Sequence, residues 1–120
     1  MARILVVDDE DSMRFLISVS LGNDYTVLEA RNGQEGLRMV ADHRPDLIIT
    51  DLRMPTVAGS DFIRALRASS NKVKIIAYSA SFNTPYDLEV MLEAGADLCL
   101  TKPLSLIMLK QTIAELLKQR

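Results

Sequence analysis

The amino-acid sequence predicts an α/β fold, a three-layer α/β/α sandwich around a parallel β-sheet, and three observations carry that prediction. Short apolar runs rich in β-branched residues alternate with segments whose apolar residues recur every three to four positions, the pattern of repeated β-α units. Two of the runs, Ile4-Leu5-Val6-Val7 and Leu47-Ile48-Ile49, are apolar without interruption, as strands covered on both faces of a parallel sheet are. The chain of 120 residues, 48% hydrophobic and 25% charged, has the size and composition of one globular domain whose core needs no disulfide.

Taken in order, the strands fall at 3–7, 25–29, 46–50, 73–79 and 97–100, with the first and third central. Ser12 and Ser60 are placed to cap the helices beside the second and fourth units, and Thr84-Pro85 supplies a cap followed by proline at the first helical position. Ser105 caps the last helix, whose stripe Leu106, Leu109, Ile113, Leu116, Leu117 faces the sheet and whose end, Lys118-Gln119-Arg120, puts cations at a C-terminus. Gly22 and Gly95 stand just past helical runs, where left-handed caps form. Right-handed crossovers between parallel strands then place helices on both faces.

Charge and composition narrow the function. A net charge of −2 and a pI near 5.3 exclude the basic face of a direct nucleic-acid binder. The apolar run from Ile4 to Val7, cut off by Asp8, is too short for a signal-peptide core, so a cytoplasmic address without membrane insertion is expected. The single cysteine, Cys99, cannot form an internal bridge and reads as a small buried hydrophobe. His43, the one histidine, sits in Ala41-Asp42-His43-Arg44-Pro45 as a helix-end or loop cation. Met13, Met39, Met91 and Met108 lie on helical stripes as filler.

Ligands of such sheets bind beyond the carboxyl ends of the strands. Those ends deliver Asp8 and Asp9 from the first strand, Asp51 from the third, Ser79 from the fourth and Lys102 just after the fifth. Each has an ordinary structural reading: acids before a helix, a turn before Met54-Pro55, a loop hydroxyl, a surface lysine. Their coincidence on one edge points instead to phosphoryl chemistry on a carboxylate. Clustered carboxylates call for a hard divalent cation, and Mg²⁺ fits because it takes a few protein oxygens and keeps water and phosphate oxygens. Asp51 is then the nucleophile, and Lys102 and the metal neutralise charge on the group in transfer.

These residues resemble the receiver domains of two-component response regulators, chemotaxis receivers included. The matching pieces are Ile4-Leu5-Val6-Val7-Asp8-Asp9-Glu10, Asp46-Leu47-Ile48-Ile49-Thr50-Asp51-Leu52-Arg53-Met54-Pro55, Ser79-Ala80, and Gly95-Ala96-Asp97 running into Thr101-Lys102-Pro103. The resemblance implies a flavodoxin-like strand order 2-1-3-4-5 and a single receiver domain over residues 1–120 with no output domain. It implies Asp51 as phosphoacceptor, with Mg²⁺ held by Asp9, Asp51 and the Arg53 carbonyl and by Asp8 through water. Ser79 and Ala80 form the switch segment, Lys102 contacts the phosphoryl group, and a sensor histidine kinase or histidine phosphotransfer protein is the donor. The output is binding to a downstream protein target, and the family admits homodimers through its fourth helix, fifth strand and fifth helix. Such a domain catalyses only its own phosphorylation and dephosphorylation.

Three positions depart from the pattern. Cys99 stands three residues before Lys102, where the family has an aromatic switch residue, with Tyr78, Phe82 and Tyr86 nearby as substitutes. Tyr78 itself reads as core packing. Ala58 precedes Gly59 where the family often has Asp, and Arg53, two residues after Asp51, is expected to affect the lifetime of the acyl phosphate. Two other functions compete. A Mg²⁺-dependent aspartyl phosphatase needs a second Asp where Arg53 stands, which argues against it. A phosphorylation-independent protein-binding module would keep the fold without the switch, and only Cys99 favours it.

Overall fold

A computed structural model of the chain describes residues 1–51, 59–69, 72–79, 92–101 and 105–118. Five strands, β1 (Arg3–Val7), β2 (Thr26–Ala30), β3 (Leu47–Asp51), β4 (Lys74–Ser79) and β5 (Leu98–Thr101), form one sheet in the order β2-β1-β3-β4-β5, every pair parallel. The helices are α1 (Asp11–Leu21), α2 (Gly33–His43), α3 (Gly59–Ala68) and the C-terminal α4 (Leu106–Lys118). The helix expected to open at Thr84-Pro85 lies outside the described residues apart from a helical stretch at 92–94.

Alternation along the strands splits the core in two. Leu5, Val7, Ile48, Ile75 and Ala77 meet Val40 of α2 and Phe62, Ile63 and Leu66 of α3. The intervening residues, Ile4, Val6, Leu47, Ile49, Ile76 and Tyr78, meet Ile17 and Leu21 of α1 and Leu109 and Ile113 of α4. Helices on both faces explain why β1 and β3 are apolar without a break. Gly36 lets α2 lie close to this sheet: a Cβ there would stand 3.1 Å from the Phe62 ring and 3.3 Å from a Val7 methyl.

The observed strands β2, β3, β4 and β5 each begin one residue later than their sequence patterns, and the residues left out have local partners, the Val73 carbonyl accepting from Arg67. Tyr25 donates its N–H to the Leu21 carbonyl, closing the turn after α1. Asp46 and Asp97 turn their carboxylates onto the neighbouring strands, accepting from the N–H groups of Arg3 and Ile75 at 2.8 Å each. Short acidic side chains compete in this way for backbone donors.

The predicted caps need several corrections. Ser12 lies inside α1, which begins at Asp11 behind an uncapped Glu10; the turn is held instead by Asp8, whose Oδ1 accepts the Glu10 N–H at 2.8 Å. Ser60 is likewise inside α3. Gly22 has φ −63°, so α1 ends without a left-handed residue, while the Leu21 carbonyl accepts from both Asp24 and Tyr25. Gly95 does adopt positive φ, at 123°. Ser105 caps α4 as expected, accepting the Met108 N–H at 3.2 Å. Unforeseen were the Asn32 cap of α2, which accepts from Glu35 N–H at 2.8 Å, and Arg44, left-handed at φ 48° at the end of α2.

Candidate functional site

Register brings the predicted groups to one edge. Val7 pairs with Thr50, so the next residues, Asp8 and Asp51, leave adjacent strands together. Asp51 pairs with Tyr78, and Ser79 pairs with Thr101, the residue before Lys102. Counting by twos from Ile4 and Val6 reaches Asp8, from Leu47 and Ile49 reaches Asp51, and from Ile76 reaches Tyr78. The face that is apolar through the middle of the sheet thus ends in two carboxylates and a phenol.

Carboxylate oxygens of Asp8, Asp9 and Asp51 lie within 4.8 Å of one another. Asp8 is fully buried and Asp51 nearly so, while Asp9 is exposed. Three like charges at this spacing, two of them away from water, repel unless a cation or proton intervenes. All the donors are hard oxygens, and the exposed Asp9 leaves one side open to water, which suits Mg²⁺ better than a fully caged ion.

Two residues that sequence reasoning did not assign hold the cluster in shape. Tyr78, fully buried on β4, donates its phenol hydrogen to Asp8 Oδ2, while Asp8 Oδ1 takes the Glu10 N–H. Burial, then the hydrogen bond and charge of Asp8, then the charges of Asp51 and Glu10, push the Tyr78 phenol far above its usual range. It therefore stays protonated and acts as a donor. Arg14, one turn into α1, donates to the Asp8 carbonyl at 2.8 Å, to Glu29 at 3.1 Å and to Asp11 at 2.5 Å. Burial works against its charge, but the hydrogen bonds and charges of Asp11 and Glu29 outweigh it and raise its ionisation further. The signal for Tyr78 was present: a tyrosine at the end of an apolar strand, on the same alternation as two acids, has a hydroxyl that must find a partner.

Of the other predicted positions, Arg53, Ala80 and Lys102 lie outside the described residues, as do Ala58, Phe82 and Tyr86. Ser79 is placed on the last position of β4. Cys99 is half-buried on β5 against the core shared with α2 and α3, and burial pushes its thiol up, so it is no stabilised thiolate. His43 is the exposed last residue of α2, its carbonyl taken by Arg3 at 2.7 Å. A groove of about 440 Å³ between α2 and α3, lined by Leu37, Val40, Leu66 and Arg44, contains none of the predicted site residues.

Residues 4–114 match the family model of the response regulator receiver domain. Among curated proteins, the transcriptional regulatory protein PrrA of Mycobacterium bovis is 38% identical over 121 residues, covering 98% of this chain and 51% of its own length. The response regulator MprA of Mycobacterium ulcerans is 37% identical over 118 residues, covering 98% and 50%. The chain spans about half the length of the curated relatives it matches. Among solved structures, the chemotaxis protein CheY4 of Vibrio cholerae superposes with a TM-score of 0.89 at 31% identity, covering 96% of this chain and 98% of that one. The receiver domain of the Francisella response regulator 1452 gives 0.92 at 28% identity, covering 99% and 98%.

Proposed function

The chain belongs to the response regulator receiver domain family of two-component systems, and from that premise we propose that it is a phosphoacceptor switch in which Asp51 takes a phosphoryl group from a partner phosphohistidine. The observation that carries this reading is the convergence of Asp8, Asp9 and Asp51, with Asp51 nearly buried at the end of a central strand.

In the transfer, a carboxylate oxygen of Asp51 forms the new P–O bond as the P–N bond to the donor imidazole breaks, its electron pair returning to the ring nitrogen. Water later cleaves the acyl phosphate and releases inorganic phosphate. Asp9, Asp51 and the Arg53 carbonyl would hold Mg²⁺, with Asp8 acting through water; the bound ion supplies charge neutralisation to the phosphoryl oxygens. Lys102 contributes a second cation and Ser79 a hydrogen bond to a phosphoryl oxygen. The protein turns over no separate substrate. Phosphorylation enlarges the anion at Asp51 and draws Ser79, with Ala80, toward it.

The donor is a sensor histidine kinase or a histidine phosphotransfer protein, and the output is binding of a downstream protein by one receiver domain spanning residues 1–120. At net charge −2 the domain itself does not read nucleic acid. No described helix is long and apolar enough to cross a membrane, and we place the reaction in the cytoplasm, where such donors act. Intact mass after incubation with acetyl phosphate tests the reading. One phosphoryl adduct that requires Mg²⁺ and disappears in Asp51→Asn is expected. No adduct in the parent would leave a phosphorylation-independent binding module, the reading that Cys99 favours.

A further inference from the structure

Tyr78 sets an uncharged side chain against the carboxylate cluster, and core packing does not account for its hydroxyl. Strands β1 and β4 are separated by β3, so their backbones run about 10 Å apart at ordinary strand spacing. The phenol crosses that distance and donates to Asp8 Oδ2. Its ring meanwhile belongs to the core formed by Ile49, Ile76, Ile17, Leu109 and Ile113, under α1 and α4. The Glu10 N–H holds the other oxygen, Oδ1, at 2.8 Å. Each carboxylate oxygen has room for a second partner. With a donor on each oxygen the plane of the Asp8 carboxylate is set from both ends, and an oxygen of that carboxylate lies within 4.8 Å of oxygens of Asp9 and Asp51.

Resting on the metal-binding reading above, we propose that Tyr78 is a positioning residue of the Mg²⁺ site, fixing the orientation of Asp8 and joining that carboxylate to the core beneath the C-terminal helix. Partners that orient metal ligands in this way are worth about 10- to 100-fold in affinity when removed. Tyr78→Phe keeps the ring in the core and deletes only the donor. A second consequence is optical. The chain has no tryptophan, three tyrosines and three phenylalanines, so absorbance on the long-wavelength side of the phenylalanine bands is tyrosine alone, and Tyr78 is bonded directly to the site.

The experiment titrates the full chain with MgCl₂, following binding by calorimetry and the tyrosine band by difference absorbance. The parent is expected to bind Mg²⁺ with a tyrosine difference spectrum. Tyr25→Phe should retain that spectrum, and Tyr78→Phe should lose it and bind Mg²⁺ about tenfold more weakly. In an Asp8→Ala background the Tyr78→Phe effect on affinity should vanish, because the phenol acts through Asp8. Equal Mg²⁺ affinity in parent and Tyr78→Phe would overturn the inference while leaving the metal site standing. A parent that binds Mg²⁺ with no change in its tyrosine band would overturn it too, whatever the variant's folding. No Mg²⁺ binding by the parent would bring down both the metal-site reading and the inference.

Discussion

The two edges of the sheet carry polar networks of opposite design. At the amino edge, opposite charges are paired and saturated. Arg67 of α3 donates to the Gly95 carbonyl at 3.0 and 2.9 Å, to the Val73 carbonyl at 2.8 Å and to Asp97 at 3.1 Å, while Asp97 accepts the Ile75 N–H. Gly95 is required there, both for its φ of 123° and because a Cβ would stand 2.5 Å from Arg67 Cγ. At the carboxyl edge, like charges converge on one point with two of the three groups buried. One edge is arranged for stability, and the other gathers repelling groups, the arrangement the proposed binding role requires.

The sharpest way to break this comparison is to remove Arg67. Arg67→Ala strips donors from two part-buried carbonyls and an exposed carboxylate, and should lower unfolding free energy by about 3 kcal/mol, measured by urea denaturation in EDTA. Mg²⁺ affinity should stay within twofold of the parent, because none of these contacts lies on the carboxyl edge. A large loss of Mg²⁺ affinity would show that the two networks are coupled.

A smaller effect comes from Tyr78 itself. Its folded ionisation lies well above the ordinary value of 10.0, chiefly through burial and then through Asp8. Unfolding therefore releases a proton once the pH exceeds about 10, and stability that is whole below that value declines above it. The decline is about 1.4 kcal/mol per pH unit for this one group. Unfolding free energies of the parent and Tyr78→Phe from urea denaturation in EDTA between pH 9 and pH 11 should approach each other with that slope, the variant being the flatter. Parallel curves would mean that the phenol is not held neutral by the fold.

The comparison also explains what could be read from the sequence. The carboxyl edge was legible because strand ends are marked by a change from apolar to acidic residues, and the strand order followed from the family resemblance. Asp8, Asp9 and Asp51 meet at that edge because their strands, marked by apolar periodicity, pair in a register that ends them together. The amino edge was not legible. Arg67 and Asp97 are 30 residues apart and resemble any exposed charges until the fold brings them together. The caps at Ser12 and Gly22 failed for a similar reason: both are suitable residues, but Asp8 and the Leu21 carbonyl already hold those turns. Tyr78 was read as core because its strand is apolar, and only its shared alternation with Asp8 and Asp51 marked the hydroxyl as belonging to the site.

The smallest effect has the opposite sign from the first and tests the comparison most directly. Asp51→Asn removes one of three converging negative charges while keeping the shape of the side chain. At an effective dielectric of about 20, two charges some 5 Å apart repel by about 3 kcal/mol, part of which the contacts of the ionised carboxylate offset, so the net gain in metal-free stability should be about 1 kcal/mol. The same substitution removes the proposed metal ligand and phosphoacceptor, so the rise in urea midpoint that Mg²⁺ is expected to give the parent should vanish. A variant less stable than the parent in EDTA would mean that Asp51 is held by favourable contacts stronger than the repulsion, and that the carboxyl edge is built for stability after all.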